Sequence, residues 1–265
     1  MNALPLWLPV CNMDVGLNTM RLRCISDKVG RALSVGLVFC AAAAAETTTI
    51  YTFTTAANAS SQGNPVAAQA VIELTSNHIH VVLTNLLNNP LSVGQALSFL
   101  FFKVDNGTTS GTLTSSSAMS RDVNGNGTYK DLGTIATGWK LLGSGNLMEL
   151  CDIGCGAAGP ANTLIGGPGA NNKYSSNSSI AGNGPHNPFL VGNAVFDLAV
   201  TGVTYQSKIQ NVTYGFGTTA GYNVNAGGYT VATVPEPSAI LLLASCIVAV
   251  GLISRRKRVT DVIAR

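Results

Sequence analysis

The chain has 265 residues and a formal net charge of +3, which comes from its two ends. Between Glu46 and Val234 there are six basic and eight acidic residues, so the central part is slightly acidic. A basic central domain is the usual sign of nucleic-acid binding, and its absence from the sequence excludes DNA and RNA as partners.

The first 45 residues have the pattern of a secretory signal peptide. A positive region precedes the apolar run Ala32–Ala44, and Ala43 and Ala45 form an A-x-A site for signal peptidase. The positive residues are Arg21, Arg23, Lys28 and Arg31. We therefore predict a signal helix in residues 1–45 that engages the Sec translocon.

The exported chain is expected to begin at Glu46. The residues before Met20 are unusual for a signal peptide, which makes Met20 an alternative start. A lipoprotein signal at Cys40 is the less favoured alternative, because the bulky Phe39 precedes the cysteine.

The central domain, residues 46–233, is rich in glycine and in short runs of β-branched and aromatic residues separated by turn residues. Such runs without intervening helices predict an all-β fold, specifically an antiparallel, jelly-roll-like β-sandwich. Leu97–Val104 is apolar on both faces, which is typical of a central strand. The predicted strands are Glu46–Thr55, Val71–Leu74, Ile79–Thr84, Leu97–Val104, Gly133–Leu142, Leu147–Leu150, Phe189–Thr204, Gln210–Phe216 and Gly228–Val234.

A long stretch of Gly, Pro, Asn and Ser, Gly154–Asn187, has one charged residue, Lys173. It is predicted to be a surface loop, with ligand contact as the alternative. At its start lie Cys151 and Cys155, the two cysteines of the exported domain. In an oxidising compartment two nearby thiols usually pair, so we predict a disulfide, with a metal or redox site as the alternative.

Motifs for cofactors and metals are incomplete in this sequence. Gly154–Gly159 matches G-x-G-x-x-G, but no helix pattern follows to hold a pyrophosphate, and no cofactor is predicted. Asp122, Asn124 and Asn126 match the first half of a calcium loop, but the twelfth position is Gly133 instead of Glu. A β-turn is therefore favoured there over a calcium site. His78 and His80 share one face of a strand, which is a weak metal signal.

Catalytic constellations are not recognisable in the sequence, so a non-catalytic structural or adhesive domain is favoured over an enzyme. A carbohydrate-binding module or a glycoside-hydrolase-like enzyme is the alternative, with exopolysaccharide as a further candidate partner. Sugar-stacking candidates are Trp139, Tyr174 and Tyr222. Carboxylates that could converge in a hydrolase are Asp122, Asp131, Glu149, Asp152 and Asp197.

The C-terminal segment has three parts in a fixed order. Val234 precedes Pro235, Glu236 and Pro237, and the prolines favour a rigid, extended joint. An uncharged run of 15 residues, Ala239–Ile253, predicts a short transmembrane helix. The basic block that follows favours a cytoplasmic end. It consists of Arg255, Arg256, Lys257 and Arg258.

This tail resembles the PEP-CTERM sorting signal of bacterial exported proteins. The resemblance covers residues 234–258 and rests on the Pro-Glu-Pro motif, the apolar helix and the basic block. It implies that an exosortase, a membrane-embedded cysteine protease or transpeptidase, recognises and processes the tail. Residues 259–265 extend beyond the block, where such signals usually stop, and would form a cytoplasmic tail. The expected location is transient anchoring in the inner membrane, then the cell surface or extracellular matrix.

Overall fold

The computed structural model describes residues 11–16, 19–24, 47–105, 110–144, 146–157, 159–234 and 247. The chain divides into two units, residues 1–41 and 42–265. In the first unit, β1 (Cys11–Gly16) pairs antiparallel with β2 (Thr19–Cys24). Arg21 and Arg23 of the predicted signal peptide lie in β2, and residues 25–45 lie outside the described part of the chain.

The described part of the second unit is all-β, as the sequence predicts. Its strands are β3 (Thr48–Thr55), β4 (Ser60–Ser61), β5 (Asn64–Pro65), β6 (Ala68–Thr75), β7 (His78–Asn85), β8 (Leu97–Val104), β9 (Thr112–Val123), β10 (Tyr129–Ile135), β11 (Lys140–Ser144), β12 (Leu147–Cys151), β13 (Leu164–Ile165), β14 (Phe189–Ala199), β15 (Ile209–Phe216) and β16 (Asn223–Val234). Two short 3-10 helices, Val93–Gln95 and Ala170–Asn172, lie between strands.

The predicted transmembrane helix, residues 239–253, lies outside the described part of the chain except for residue 247. In the part that the structure does describe, no helix is both long enough and apolar enough to cross a membrane.

Apart from the small β4–β5 hairpin, the strands of the second unit form one large sheet. Its order is β10-β9-β14-β7-β6-β3-β16-β15-β8-β12-β11, with antiparallel neighbours throughout. The short strand β13 pairs parallel with β14 and antiparallel with β8, two strands that are far apart in this order. β13 therefore connects two distant parts of the sheet.

Alternation along the strands builds the core. In β6, Ala68, Ala70, Ile72 and Leu74 are buried while the residues between them are partly exposed, and β7 repeats this pattern. Successive side chains of a strand point to opposite faces, so one face of each strand packs inward. Each fully buried Leu, Ile or Phe contributes about 1.5–3 kcal/mol through the hydrophobic effect. The same core holds Phe102, Trp139, Phe196 and Tyr214.

A second, smaller hydrophobic cluster forms under the stretch that the sequence predicts as a surface loop. Ile165, Tyr174, Ile180 and Ala181 from that stretch are buried and pack with Phe189. The prediction of a surface loop is therefore wrong at these positions, because sparse apolar residues in a Gly- and Asn-rich segment pack beneath it.

Candidate functional sites

The predicted disulfide is confirmed: Cys151, the last residue of β12, is bonded to Cys155. The bond closes a small loop that contains Asp152, Ile153 and Gly154. Gly154 has φ +79°, in the left-handed region that favours glycine, which lets the chain turn within so short a ring. The loop is held to the sheet by a hydrogen bond of 2.9 Å from the Asp152 backbone N–H to the Ser98 carbonyl.

The side chain of Asp152 is buried inside this loop. The residue is 1% exposed, and neither carboxyl oxygen has a hydrogen-bond partner within the described residues. A charged carboxylate is normally stabilised by water or by hydrogen-bond donors. Burial without either therefore favours the protonated form. Burial accordingly raises the pKa of Asp152 from 3.8 to about 7. A cavity of about 380 Å³ lies beside the loop, with His186 and Thr218 on its wall.

A polar cluster occupies the outer face of three neighbouring strands. His78 and His80 lie on β7, Asp197 on β14 and Ser115 on β9. The register pairs Asp197 with His80 on one side and with Ser115 on the other. Two histidines that stand two residues apart in the sequence thus meet a carboxylate from a distant segment.

Asp197 is the centre of this cluster. Its Oδ1 lies 2.7 Å from His80 Nδ1 and 3.4 Å from His78 Nε2, and Ser115 donates a hydrogen bond of 2.6 Å to Oδ2. Burial works to raise the pKa of Asp197, but the hydrogen bonds from His80 and Ser115 and the neighbouring imidazoles outweigh it. The pKa therefore lies below its ordinary value of 3.8.

His78 and His80, the weak metal signal of the sequence, meet one carboxylate, that of Asp197. Its carboxylate oxygens are already engaged, and within the described ranges no group of three or more His, Cys, Asp or Glu side chains could hold a metal ion. The order of contacts also differs from a nucleophilic triad, because Ser115 bonds to the carboxylate instead of an imidazole. The cluster thus links three strands on the sheet surface.

A groove opens where β15 and β16 separate. The two strands pair at Thr213–Gly215 with Asn223–Asn225; beyond that point β15 follows β8 and β16 follows β3. The groove has a volume of about 660 Å³. Its lining consists of Phe53, Ile209, Gln210, Asn211, Val212, Thr213, Asn225, Ala226, Gly227, Gly228 and Tyr229.

Sequence reasoning missed this groove and its aromatic residue, Tyr229. Of the conceivable sugar-stacking residues, Trp139 and Tyr174 are 3% exposed and belong to the hydrophobic clusters, which is the more usual place for an aromatic side chain. Tyr222 is 43% exposed but does not line the groove. The sequence signal that could have indicated Tyr229 is Gly227–Gly228, a break inside a β-like run beside an aromatic residue.

The half-matched calcium loop is the turn between β9 and β10. The Gly127 backbone N–H donates to the Asn124 carbonyl at 2.9 Å, and Asn126 Oδ1 accepts from both the N–H and the hydroxyl of Thr128. Asn124 and Asn126 therefore stabilise the turn, and Asp122 lies at the end of β9 opposite Lys130.

The candidate catalytic carboxylates lie at separate places. Asp131 forms a two-point ion pair with Arg121 at 2.6 and 3.0 Å, and Glu149 faces Phe101 on the neighbouring strand. Burial raises the pKa of Glu149. Three cavities are lined by residues that the structure describes. Among these three, only the cavity beside the disulfide loop has a carboxylate in its wall, that of Asp152.

The remaining predicted site residues lie outside the described part of the chain. These are the signal-cleavage residues Ala43 and Ala45, the motif Pro235–Pro237 and the basic block Arg255–Arg258. Val234, the first residue of the predicted sorting signal, is the last residue of β16.

Comparisons of the chain with protein-family models, with curated proteins and with solved structures gave no match.

Proposed function

We propose that this chain is an exported bacterial protein of the cell surface or extracellular matrix, sorted by an exosortase through residues 234–258. One observation of the fold supports this proposal above the others. Val234, the last residue of β16, pairs with Thr48, the first residue of β3. The two predicted processing sites, after Ala45 and at Pro235–Pro237, are therefore close in sequence to two strand ends that pair with each other.

Because β3 and β16 pair with each other, the chain can lose both the signal peptide and the sorting tail and still keep its fold. Removal of the signal peptide and of the sorting tail would leave β3 and β16 whole, together with the strands that lie between them in the chain. The prolines directly after β16 cannot continue its hydrogen-bond ladder, so the sheet ends where the recognisable joint begins. A membrane enzyme would then meet an extended segment instead of a folded strand.

We further propose that the large sheet folds over itself into a jelly-roll-like sandwich. The bridging strand β13 supports this arrangement, because it pairs with two strands that are separated by five others in the sheet order. Buried residues from both of those regions, such as Leu100 and Phe196, belong to one hydrophobic cluster. A sheet folded into two layers around a shared hydrophobic core is a suitable scaffold for a non-catalytic structural or adhesive role.

The sorting step can be tested by changing Glu236→Ala together with Pro237→Ala in the native host. We predict that the double variant stays in the inner membrane with its tail unprocessed, because the exosortase no longer recognises the joint. Cell fractionation with immunoblotting measures the location and the size of the chain. The matched control is Val259→Ala together with Thr260→Ala, which leaves the motif intact and should be sorted normally. Unchanged surface delivery of the motif variant would refute the proposal.

Carbohydrate binding is a second candidate function, and the groove between β15 and β16 is the observation that favours it. A glycoside hydrolase needs two carboxyl groups on opposite sides of the scissile bond, roughly 5–9.5 Å apart. No such pair is found among the cavity walls that the structure describes. We therefore propose binding without catalysis as this second function.

A further inference from the structure

The groove between β15 and β16 has a preorganised aromatic wall. Tyr229 is 62% exposed, and its ring lies 5.2 Å from Phe53 and 6.4 Å from Tyr51, measured between centroids. Phe53 and Tyr51 are themselves buried and lie parallel, 6.0 Å apart. The two buried rings support Tyr229 from one side and leave much of its surface open to a ligand.

The polar wall of the groove offers amide groups with free hydrogen-bonding capacity. Thr213 donates a hydrogen bond of 2.9 Å to Asn225 Oδ1, which fixes the Asn225 amide. The amide nitrogen of Asn225 and the side chains of Gln210 and Asn211 have no partner in the part of the chain that the structure describes. Each amide supplies both donors and an acceptor, the combination that pairs with hydroxyl groups.

The uncharged lining of the groove favours a neutral ligand. None of its eleven lining residues is charged, so neither an anionic nor a cationic ligand would find a counter-charge there. Two of the lining residues, Gly227 and Gly228, carry no side chain; a Cβ at Gly228 would meet open space, whereas one at Gly227 would meet Ala56. The volume of about 660 Å³ falls within the range of 300–1,000 Å³ that is usual for small-ligand sites.

We propose that this groove binds a neutral polysaccharide, with one sugar ring stacked on Tyr229 and its hydroxyls bonded to Gln210, Asn211 and Asn225. A sugar ring has an apolar C–H face and a rim of hydroxyls, which matches an aromatic platform flanked by amides. The inference rests on the proposed surface location, because only an exported domain would meet an extracellular polysaccharide. It gives the domain an adhesive task, which sorting alone does not.

Among the described residues, β16 from Gly228 to Val234 has a strand neighbour on one side. Its other edge suggests a competing occupant, an added β-strand from a second copy or another protein. From Gly228 to Val234 this strand is exposed, and it pairs with β3 on one side. Strand addition would use backbone groups along that edge and depend little on the Tyr229 ring. The unpaired amides and the supported aromatic ring favour the saccharide over an added strand. Replacing Tyr229 distinguishes these two occupants.

The test uses the purified full-length chain in detergent and a panel of neutral glucan, mannan and galactan oligosaccharides, with anionic uronate oligosaccharides beside them. We expect binding to at least one neutral oligosaccharide by titration calorimetry. Tyr229→Ala should weaken that affinity about tenfold or more, because the stacking surface is lost. The matched control is Tyr222→Ala, which removes a similarly exposed tyrosine outside the groove and should bind as the wild type does.

Three results would overturn the inference. They are binding to no neutral oligosaccharide, an equal loss in the two tyrosine variants, and a change in self-association by sedimentation in place of a change in saccharide affinity. If circular dichroism shows that Tyr229→Ala does not fold, saccharide affinity is measured on Gln210→Ala instead, in which the ring is intact. The outcome is independent of the sorting experiment, because binding is measured on purified chain and sorting is measured in cells.

Discussion

Asp152 and Asp197 are two aspartates of one domain in opposite surroundings. Asp152 is 1% exposed and has no hydrogen-bond partner for its carboxyl among the described residues, whereas the side chain of Asp197 is 31% exposed and is contacted by His78, His80 and Ser115. The pKa of Asp152 rises to about 7 and that of Asp197 falls below 3.8. Partners, and not merely the depth of burial, therefore decide which form of a carboxyl the fold favours.

The largest expected effect is on Asp152. A raised pKa means that the folded chain holds a proton that the unfolded chain releases, so its stabilisation is complete below pH 3.8 and is lost as the pH rises through about 7. Each pH unit in that window is worth about 1.4 kcal/mol, which gives a loss of about 4 kcal/mol in total. We predict that Asp152→Asn removes this decline from the free energy of unfolding, measured in urea at several pH values.

The comparison would fail if Asp152→Asn and the wild type declined equally between pH 4 and pH 7. Asp197→Asn is the matched control for this experiment, because it also replaces a carboxyl by an amide. In that variant the decline over the same interval should persist.

The second prediction concerns the disulfide that closes the Asp152 loop. Changing Cys151→Ala together with Cys155→Ala should lower the free energy of unfolding by about 2 kcal/mol, the value expected from chain entropy for so short a loop. The open loop should also let water reach Asp152 and weaken the pH dependence. Urea unfolding with and without reductant measures both effects. Reductant should destabilise the wild type and leave the variant unchanged. Equal stability of the wild type and the variant without reductant would contradict the prediction.

The smallest effect is expected for Asp197. Its pKa is lowered, so its contribution is present above pH 3.8 and is lost as the pH falls through the folded-state value. The cluster is partly exposed, and such pairs contribute about 0.2–1 kcal/mol. Asp197→Asn should therefore destabilise the fold by no more than that at pH 7, measured by thermal unfolding. The difference from wild type should shrink as the pH falls below 3.8, and a difference that stays constant would show that the effect is not electrostatic.

Much of the sheet could be predicted from the sequence, because alternation of apolar residues carries the signal. Leu97–Val104 was predicted within its true bounds, and it pairs with a strand on each side as its two apolar faces indicated. The strand β9, Thr112–Val123, was missed, because its run of Ser and Thr has few apolar residues and no clear alternation. Gly133–Leu142 was predicted as one strand, but its residues are divided between β10 and β11.

The candidate sites were less predictable than the strands. His80 and Asp197 are 117 positions apart in the chain, so the carboxylate partner of the histidines became visible only with the strand register. Tyr229 joins Tyr51 and Phe53 because β16 pairs with β3, a pairing between the two ends of the domain. The disulfide was predictable because its two cysteines are close in sequence and lie together in the exported domain.

The account depends most on the proposed export and sorting of this domain. Intact mass spectrometry of the protein isolated from the surface or medium of its native host tests that claim directly. The account predicts a chain that begins at Glu46 and lacks the basic block Arg255–Arg258. A surface-located chain whose mass includes that block and residues 259–265 would contradict it.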